Sequence, residues 1–253
     1  MALTEPISID GDERAQIYEY VESRGAVRRE RVREDLFPKD PPGDPQYSRA
    51  FRHDVAILKR DGYLEEDDDG TLRIAIDVEE EEAAFTTEDL DVTIRPARQE
   101  DLSGIVGAIR QVAEEMTYIE AETVADELDH EDVLLRHNEF ESRMFFVATV
   151  EGEVVGWAHL HIPTLAKLSH TAELTVGILE GYRGMGIGSE LLDRALEWVR
   201  SNGLEKVYQS VPSTNEEAID FFDARGWAVE AVREDHYKLD QEYIDEVMMA
   251  IEL

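Results

Sequence analysis

The stretch ELTVGILEGYRGMGIGSELLDRALEWVRSNG, from Glu173 to Gly203, constrains this chain more than any other. Leu174, Val176 and Ile178 alternate with other residues as a half-buried strand would. From Ile187 onward, Leu191, Leu192, Ala195, Leu196, Trp198 and Val199 recur at helical spacing, and Ser201-Asn202-Gly203 supplies a stop. Between strand and helix stand Gly184, Gly186 and Gly188. Glycine there permits positive φ and close approach of another group to the main chain. The first helical turn also presents unpaired N–H groups at the positive end of the dipole, so the natural guest is an anion.

Two familiar phosphate loops fail the spacing. Gly181 and Gly186 are placed as in a Walker loop, but Ile187 stands where the lysine is needed. Counting Gly-x-Gly-x-x-Gly from Gly186 and Gly188 puts Leu191 in the third position. What remains is Arg-x-x-Gly-x-Gly over Arg183, Gly186 and Gly188; taken alone, it could also be an ordinary glycine-rich strand–helix connection. A second segment, NEEAIDFFDARGW, carries Asn215, Ala218, Phe221, Phe222, Gly226 and Trp227. Together and in this order the two segments resemble the central and later motifs of the GNAT superfamily, acyl-CoA-dependent N-acetyltransferases. The resemblance runs from about Val92 to Leu253.

The resemblance implies an α/β fold with a mixed, centrally splayed sheet in the order β-α-α-β-β-β-α-β-α-β-β, and acetyl-CoA as co-substrate with no metal. It implies that the strand ending at Ile178 parts from the next parallel strand, about Lys206 to Val211, and admits the pantetheine arm. Val176, Gly177 and Ile178 then line the acetyl end. Gly177 is either a bulge that exposes an N–H donor or merely a weak strand residue. Arg183, Gly184, Met185, Gly186, Ile187, Gly188 and Ser189 surround the pyrophosphate, the main-chain amides mattering more than the Arg183 guanidinium. Glu173 stands near the place of a general base, with His161 and His170 as rivals. Phe222 replaces a tyrosine that in many members protonates the departing thiolate. Water, Ser213 or Thr214 would have to serve instead. Asn215 contacts the pantetheine, caps a helix, or does both. Residues between Glu114 and Arg143 form the acceptor side, and their many carboxylates suit a cationic amine. VPSTNEEAI and the closing YIDEVMMAIEL resemble relatives acting on free amino acids or small amines, with protein N-termini as the second choice.

The charge balance is extreme, with 59 acidic against 25 basic residues and a net charge of −34. Acidic residues are dispersed over segments with strong apolar periodicity, unlike a disordered acidic tail. Such a surface reads as adaptation to a high-salt cytoplasm, where a Debye length of ~3 Å at 1 M salt screens repulsion of an anionic cofactor. The absence of cysteine excludes disulfides and thiolate zinc sites. No apolar run reaches the ~18–20 residues of a membrane span, and MALTEPISIDGDE is no secretory signal, so a soluble cytoplasmic protein is expected, with no membrane partner. A homodimer is left open.

Residues 1–80 read as a separate unit, 81–91 as an acidic linker, and 92–253 as the acetyltransferase domain. Three helical segments, with Ser48 as a candidate cap and Pro38, Pro41, Pro42 and Pro45 marking a loop, precede a hairpin turning at Asp69-Gly70. That order resembles a winged helix-turn-helix domain, an α+β unit. Arg24, Arg28, Arg29, Arg31 and Arg33 cluster, yet residues 1–80 hold 12 basic and 21 acidic residues. A docking or regulatory role is therefore favoured over DNA binding. The competing functional class is an acyl-CoA-sensing transcriptional regulator with little or no catalysis.

Overall fold

The computed structural model describes residues 7–38, 45–76, 82–114, 119–163, 165–239 and 241–253, without the side chains of 45–48 and 119–120. Pro41, Pro42, the Ser48 side chain and Glu79 to Glu81 lie outside the described residues.

The N-terminal unit comprises α1 (Asp12–Glu22), β1 (Ala26–Arg28), α2 (Arg29–Leu36), α3 (Pro45–Arg60), β2 (Leu64–Glu66) and β3 (Thr71–Ile74). Its three strands form an antiparallel sheet in the order β1-β3-β2. Ile17, Val21, Val32, Phe51, Val55, Leu58, Leu64 and Leu72 make one core. β1 is an addition to the expected elements. Three residues inside an arginine-rich run are too few for a period of two to register.

The larger unit holds β4 (Ala83–Thr87), β5 (Leu90–Pro96), α4 (Leu102–Ala113), α5 (Ile119–Glu131), β6 (Arg136–His137), β7 (Glu141–Val150), β8 (Glu153–Pro163), β9 (Thr171–Ile178), α6 (Ile187–Ser201), β10 (Lys206–Pro212), α7 (Glu216–Asp223), β11 (Ala228–Leu239) and β12 (Glu242–Glu252). They build one sheet in the order β11-β12-β10-β9-β8-β7-β5-β4, with β6 on β7. Only β9 and β10 pair in parallel. Alternation along β7 sends Phe145 and Val147 towards α4 and α5, and Met144, Phe146 and Ala148 towards α6. The β7–β8 turn falls at Glu151-Gly152, both at positive φ as a two-residue hairpin needs.

The stretch 81–91 is not simply a linker. Ala83 to Thr87 pair with Ile94 to Leu90, so β4 extends the sheet by an edge strand, and Phe85 packs partly buried on the core. The hairpin turns at Glu88-Asp89, at φ 48° and 65°. With no glycine or asparagine in that turn, the acidic run hides the hairpin from a sequence reading.

The two units share a buried polar seam. Glu22 at the end of α1 accepts from Arg136 at 3.2 and 3.3 Å and from Asn138 Nδ2 at 2.8 Å. Tyr18 donates its hydroxyl to the His137 carbonyl at 2.7 Å. Leu135 packs against all three hydrophobic clusters.

Candidate active site

β9 and β10 pair at only three positions: Thr171 with Lys206, Ala172 with Val207, and Glu173 with Tyr208. β9 then stays joined to β8 as far as Ile178, while β10 stays joined to β12 as far as Pro212. Two well-paired halves of the sheet thus diverge from one another. Along the gap, every second residue of β9 turns its N–H and C=O away from any strand. An extended ligand can use such groups as a strand would.

On the α6 side, a cavity of about 380 Å³ opens at the end of β9, between the glycine turn and α7. Val176, Gly177, Ile178, Arg183, Gly184, Gly186, Gly188, Ser189 and Phe222 all line it. Gly186 is the residue that starts α6, at φ 86° and ψ −9°. A β-carbon there would meet nothing within 4 Å, so its constraint is backbone conformation, not crowding. Gly177 is no bulge, since the β8–β9 register runs unbroken from Gly156–Ile178 to His161–Glu173. A β-carbon on Gly177 would overlap the Trp157 indole, and that close approach is what requires glycine.

Three expected contacts fall outside the cavity wall. Ile187 is the first apolar residue of the α6 stripe and faces the core. Met185 packs partly buried on that core, and its carbonyl accepts from Thr87 Oγ1 at 3.1 Å. Asn215 caps α7, its Oδ1 accepting from the Ala218 N–H at 3.1 Å. Phe222 is buried and packs tilted against Trp227 at 4.9 Å between ring centroids.

Sequence reasoning missed Tyr182, Glu217, Phe221 and Arg225 in this wall. The Arg225 guanidinium lies 3.8 Å over the Phe221 ring, donates to the Phe221 carbonyl at 2.9 Å and bonds Ser189 Oγ. Arg225 is four residues after Phe221, one helical turn on, but its approach to the start of α6 is a tertiary fact that spacing does not carry. Arg183 donates from Nε to the Ile178 carbonyl at 2.9 Å, tying the loop to the strand end. Two guanidinium groups, the first-turn amides of α6 and open space beside Gly186 fit a diphosphate. The apolar wall of Val176, Phe221 and Phe222 fits an acyl arm.

A second cavity of about 900 Å³ lies on the α5 side and reaches the same gap. Glu173 and His161 line it, as do Thr123, Val124, Glu127 and Glu141 from the expected acceptor segment. Tyr208, Gln209 and Ser210 of β10, and Arg233, His236, Glu246 and Met248 of β11 and β12, were not anticipated there. His170, Ser213 and Thr214 line neither cavity. Tyr182, Ser189 and Tyr208 bring hydroxyl-bearing side chains to the cavity walls.

Most carboxylates of this second cavity carry a counter-charge. Glu127 is 3.8 Å from Arg143, Glu141 3.6 Å from Arg136, and Glu246 2.9 Å from Arg233. Glu173 is exposed to the cavity and makes no ion pair among the described residues. His159 is buried behind it, stacked on Phe145 at 4.5 Å. Burial, with Arg143 and His161 adding positive charge nearby, pushes its imidazole well below the usual range, so the ring is neutral.

Among the described residues no helix is long and apolar enough to cross a membrane. The Acetyltransferase (GNAT) family model matches residues 108–227. An N-alpha-acetyltransferase of Sulfurisphaera tokodaii is 36% identical over 121 residues, 43% of this chain and 69% of that protein. A Bacillus subtilis protein provisionally named a phosphinothricin acetyltransferase is 30% identical over 143 residues, 54% of this chain and 84% of its own. Among solved structures, a GCN5-related N-acetyltransferase of Kribbella flavida superposes with a TM-score of 0.55 at 20% identity, covering 64% of this chain and 98% of that one. The Salmonella typhimurium protein yncA, solved with its cofactor acetyl-CoA, gives 0.53 at 20% identity, covering 64% and 94%. The parted strands and the glycine-started helix are thus accompanied by sequence likeness over the same region, and the chain belongs to the GNAT family of N-acetyltransferases, for which acetyl-CoA is the co-substrate.

Proposed function

We propose that this acetyltransferase acts on an α-amino group, that of a free amino acid or small amine first and of a polypeptide N-terminus second. Both relatives named above point the same way, since N-alpha-acetylation and phosphinothricin acetylation each address an α-amino nitrogen. The carrying observation is the lone carboxylate. In a cavity whose other acids have counter-charges, Glu173 is left to attract one ammonium group and take its proton.

In this reading acetyl-CoA supplies an activated acyl group from the α6 side of the gap. The α6 amides, Arg183 and Arg225 hold its diphosphate. Main-chain N–H groups near Val176 to Ile178 donate to the acyl oxygen as negative charge develops there. Glu173 receives one proton from the ammonium, freeing a lone pair that attacks the thioester carbonyl through the gap. The C–S bond then breaks, and the CoA thiolate leaves with the proton that the new amide nitrogen sheds. Holding both partners accounts for a large share of the rate, ~7–11 kcal/mol in well-oriented systems. Glu173→Gln should therefore lower kcat by ~10²–10⁴ while leaving acetyl-CoA affinity unchanged. Thiol release from acetyl-CoA with a panel of amino acids, small amines and short peptides in molar KCl tests the proposal. Binding of acetyl-CoA without transfer to any α-amine would overturn it.

The N-terminal unit fits a docking or regulatory role better than DNA binding. Arg28 pairs with Asp69, Arg29 and Lys59 with Glu66, and Arg31 with Asp35, so these cations are committed to intramolecular carboxylates. The dispersed acidic surface is read as adaptation to molar salt, and a melting temperature that fails to climb between dilute buffer and molar KCl would count against that.

A further inference from the structure

The α5 face of the sheet carries a row of polar side chains that runs from the seam to the gap. Arg136 on β6 faces Arg143 on β7, Arg143 faces His161 on β8, His161 faces Glu173 on β9, and Glu173 faces Tyr208 on β10. Residues directly opposite on one face hold their β-carbons ~4.5–5.5 Å apart, and opposite charges so placed attract one another. His161 is thus the side chain best placed to pair with Glu173. The pair is not made. Glu173 has no ion pair among the described residues, and His161 turns to Glu141, with Nδ1 3.8 Å from Oε2.

Register alone would favour the other choice. Glu141 faces Pro163, so it is only a diagonal neighbour of His161, and diagonal neighbours stand farther apart, at ~7–8 Å. Charge and burial reverse the preference. Arg136 is shared by Glu22, Glu131 and Glu141, and Arg143 by Glu127 and Glu131, so four carboxylates meet two guanidinium groups. The excess negative charge is left for His161 to meet. Glu141 is also pinned, its Oε1 lying 3.6 Å from Arg136 Nε while Oε2 faces His161. Arg136 is in turn held at 3.2 Å by both Glu22 of α1 and Glu131 of α5. Finally, Glu141 is half-buried and Glu173 exposed, and water and salt screen a half-buried charge less.

We infer that Glu141 is a positioning residue for acetyl transfer: it engages His161 and keeps it off Glu173, leaving that carboxylate open to the acceptor ammonium. This rests on the reading that Glu173 is the base and the α5-side cavity the amine site. His161 is then an internal rival of the substrate. Released from Glu141, its ring N–H would bond the Glu173 carboxylate directly opposite, and each incoming ammonium would have to displace it. Such competition raises KM for the amine and leaves kcat at saturation near its former value. Loss of the base itself lowers kcat, so the two effects separate in the kinetics.

The test uses the full chain with Glu141→Gln, isosteric and uncharged, and with Glu141→Gln combined with His161→Phe, which keeps a ring and removes its N–H. Probes are amino-acid amides, with acetyl-CoA binding measured separately by calorimetry. Glu141→Gln should raise KM for the amine about fivefold, the worth of one opposed cross-strand pair, with kcat held within about twofold. The acetyl-CoA affinity should hold in both variants. The double variant should bring KM back towards the parent value, because the rival is gone. A merely structural role for Glu141 would not be mended by a second substitution. With an active parent, an unchanged KM in Glu141→Gln, a loss in kcat in its place, or a double variant as poor as the single one overturns this inference alone. A parent that binds acetyl-CoA yet acetylates none of the amides overturns the reading of the site and this inference with it.

Discussion

Gly186 shows how much of the glycine turn rests on backbone conformation alone. The space beside Gly186 is open, and its φ of 86° is what other residues resist. A left-handed backbone costs an L-residue ~1–2 kcal/mol, and more for a β-branched one, so valine should distort the first turn of α6. Gly186→Val is expected to weaken acetyl-CoA binding at least ~tenfold, about the worth of 1.4 kcal/mol, by calorimetry in molar KCl. Arg183→Glu should weaken it less, because Arg225 remains on the same wall. Parent-like affinity in Gly186→Val would remove the amide cradle from the account. Phe222 carries a different lesson. The resemblance leads one to expect a phenol there, whereas the ring is packed on Phe221 and Trp227, and the nearby hydroxyls belong to residues distant in sequence.

Among elements, β9 matters most, because it lies between two cavities and is fastened on one edge only beyond Glu173. Its fit to β8 is tight at Gly177, where Trp157 fills the place of a side chain. Gly177→Ala should cost ~1–3 kcal/mol by overpacking, read as a lower denaturation midpoint, and should disturb the acetyl end of the gap. A variant as stable as the parent would show that β9 can slide from β8.

The long elements were legible because their apolar periods are strong: α6 by its stripe from Leu191 to Val199, β7 and β8 by alternation around Glu151-Gly152. The wall of the α6-side cavity was legible in large part, since Val176 to Ile178, Arg183, Gly184, Gly186, Gly188 and Ser189 lie on one stretch crossing the strand–helix junction, while Met185 and Ile187 on that stretch turn to the core. The wall of the α5-side cavity was legible only in part. His236 and Glu246 meet there through antiparallel pairing of β11 and β12 across a register shift between Arg233 and Tyr237, and Gln209 through the parting of β10. Bulges and strand divergence are decided by packing between distant segments, and no local period records them. β4 escaped for a related reason, its turn being built from Glu88 and Asp89 instead of the residues that usually mark one.

Over the whole molecule, burial ties stability to pH at the seam between units. His137 is buried there, Nδ1 2.7 Å from Ser142 Oγ, and burial pushes its imidazole down to about 4. An unfolded histidine titrates near ~6.5. Between those values the unfolded chain takes up a proton that the folded chain refuses, so stability is full above ~6.5 and declines as pH falls towards about 4. The loss is ~1.4 kcal/mol per pH unit for this group, and His159 adds a decline of the same sign. Carboxylates do not offset it. Burial works to raise Glu131, but bonds from Arg143 and Arg136 outweigh it and hold the group below its usual range. Urea midpoints at pH 7.5 and pH 5 should therefore differ in the parent, and His137→Gln should narrow the difference. An equal slope in both would detach His137 from the effect.

The Glu22 contact bears on anyone who would cut this chain in two. Arg136 would keep Glu131 and Glu141 without its N-terminal partner, but the His137 carbonyl would lose the Tyr18 hydroxyl and Leu135 the apolar cover it has from the first unit. A fragment beginning near residue 82 would carry a raw, greasy scar a few residues from the Glu141 rim of the α5-side cavity. Dissection experiments that report a sluggish or sticky catalytic half would then be describing the wound and not the enzyme.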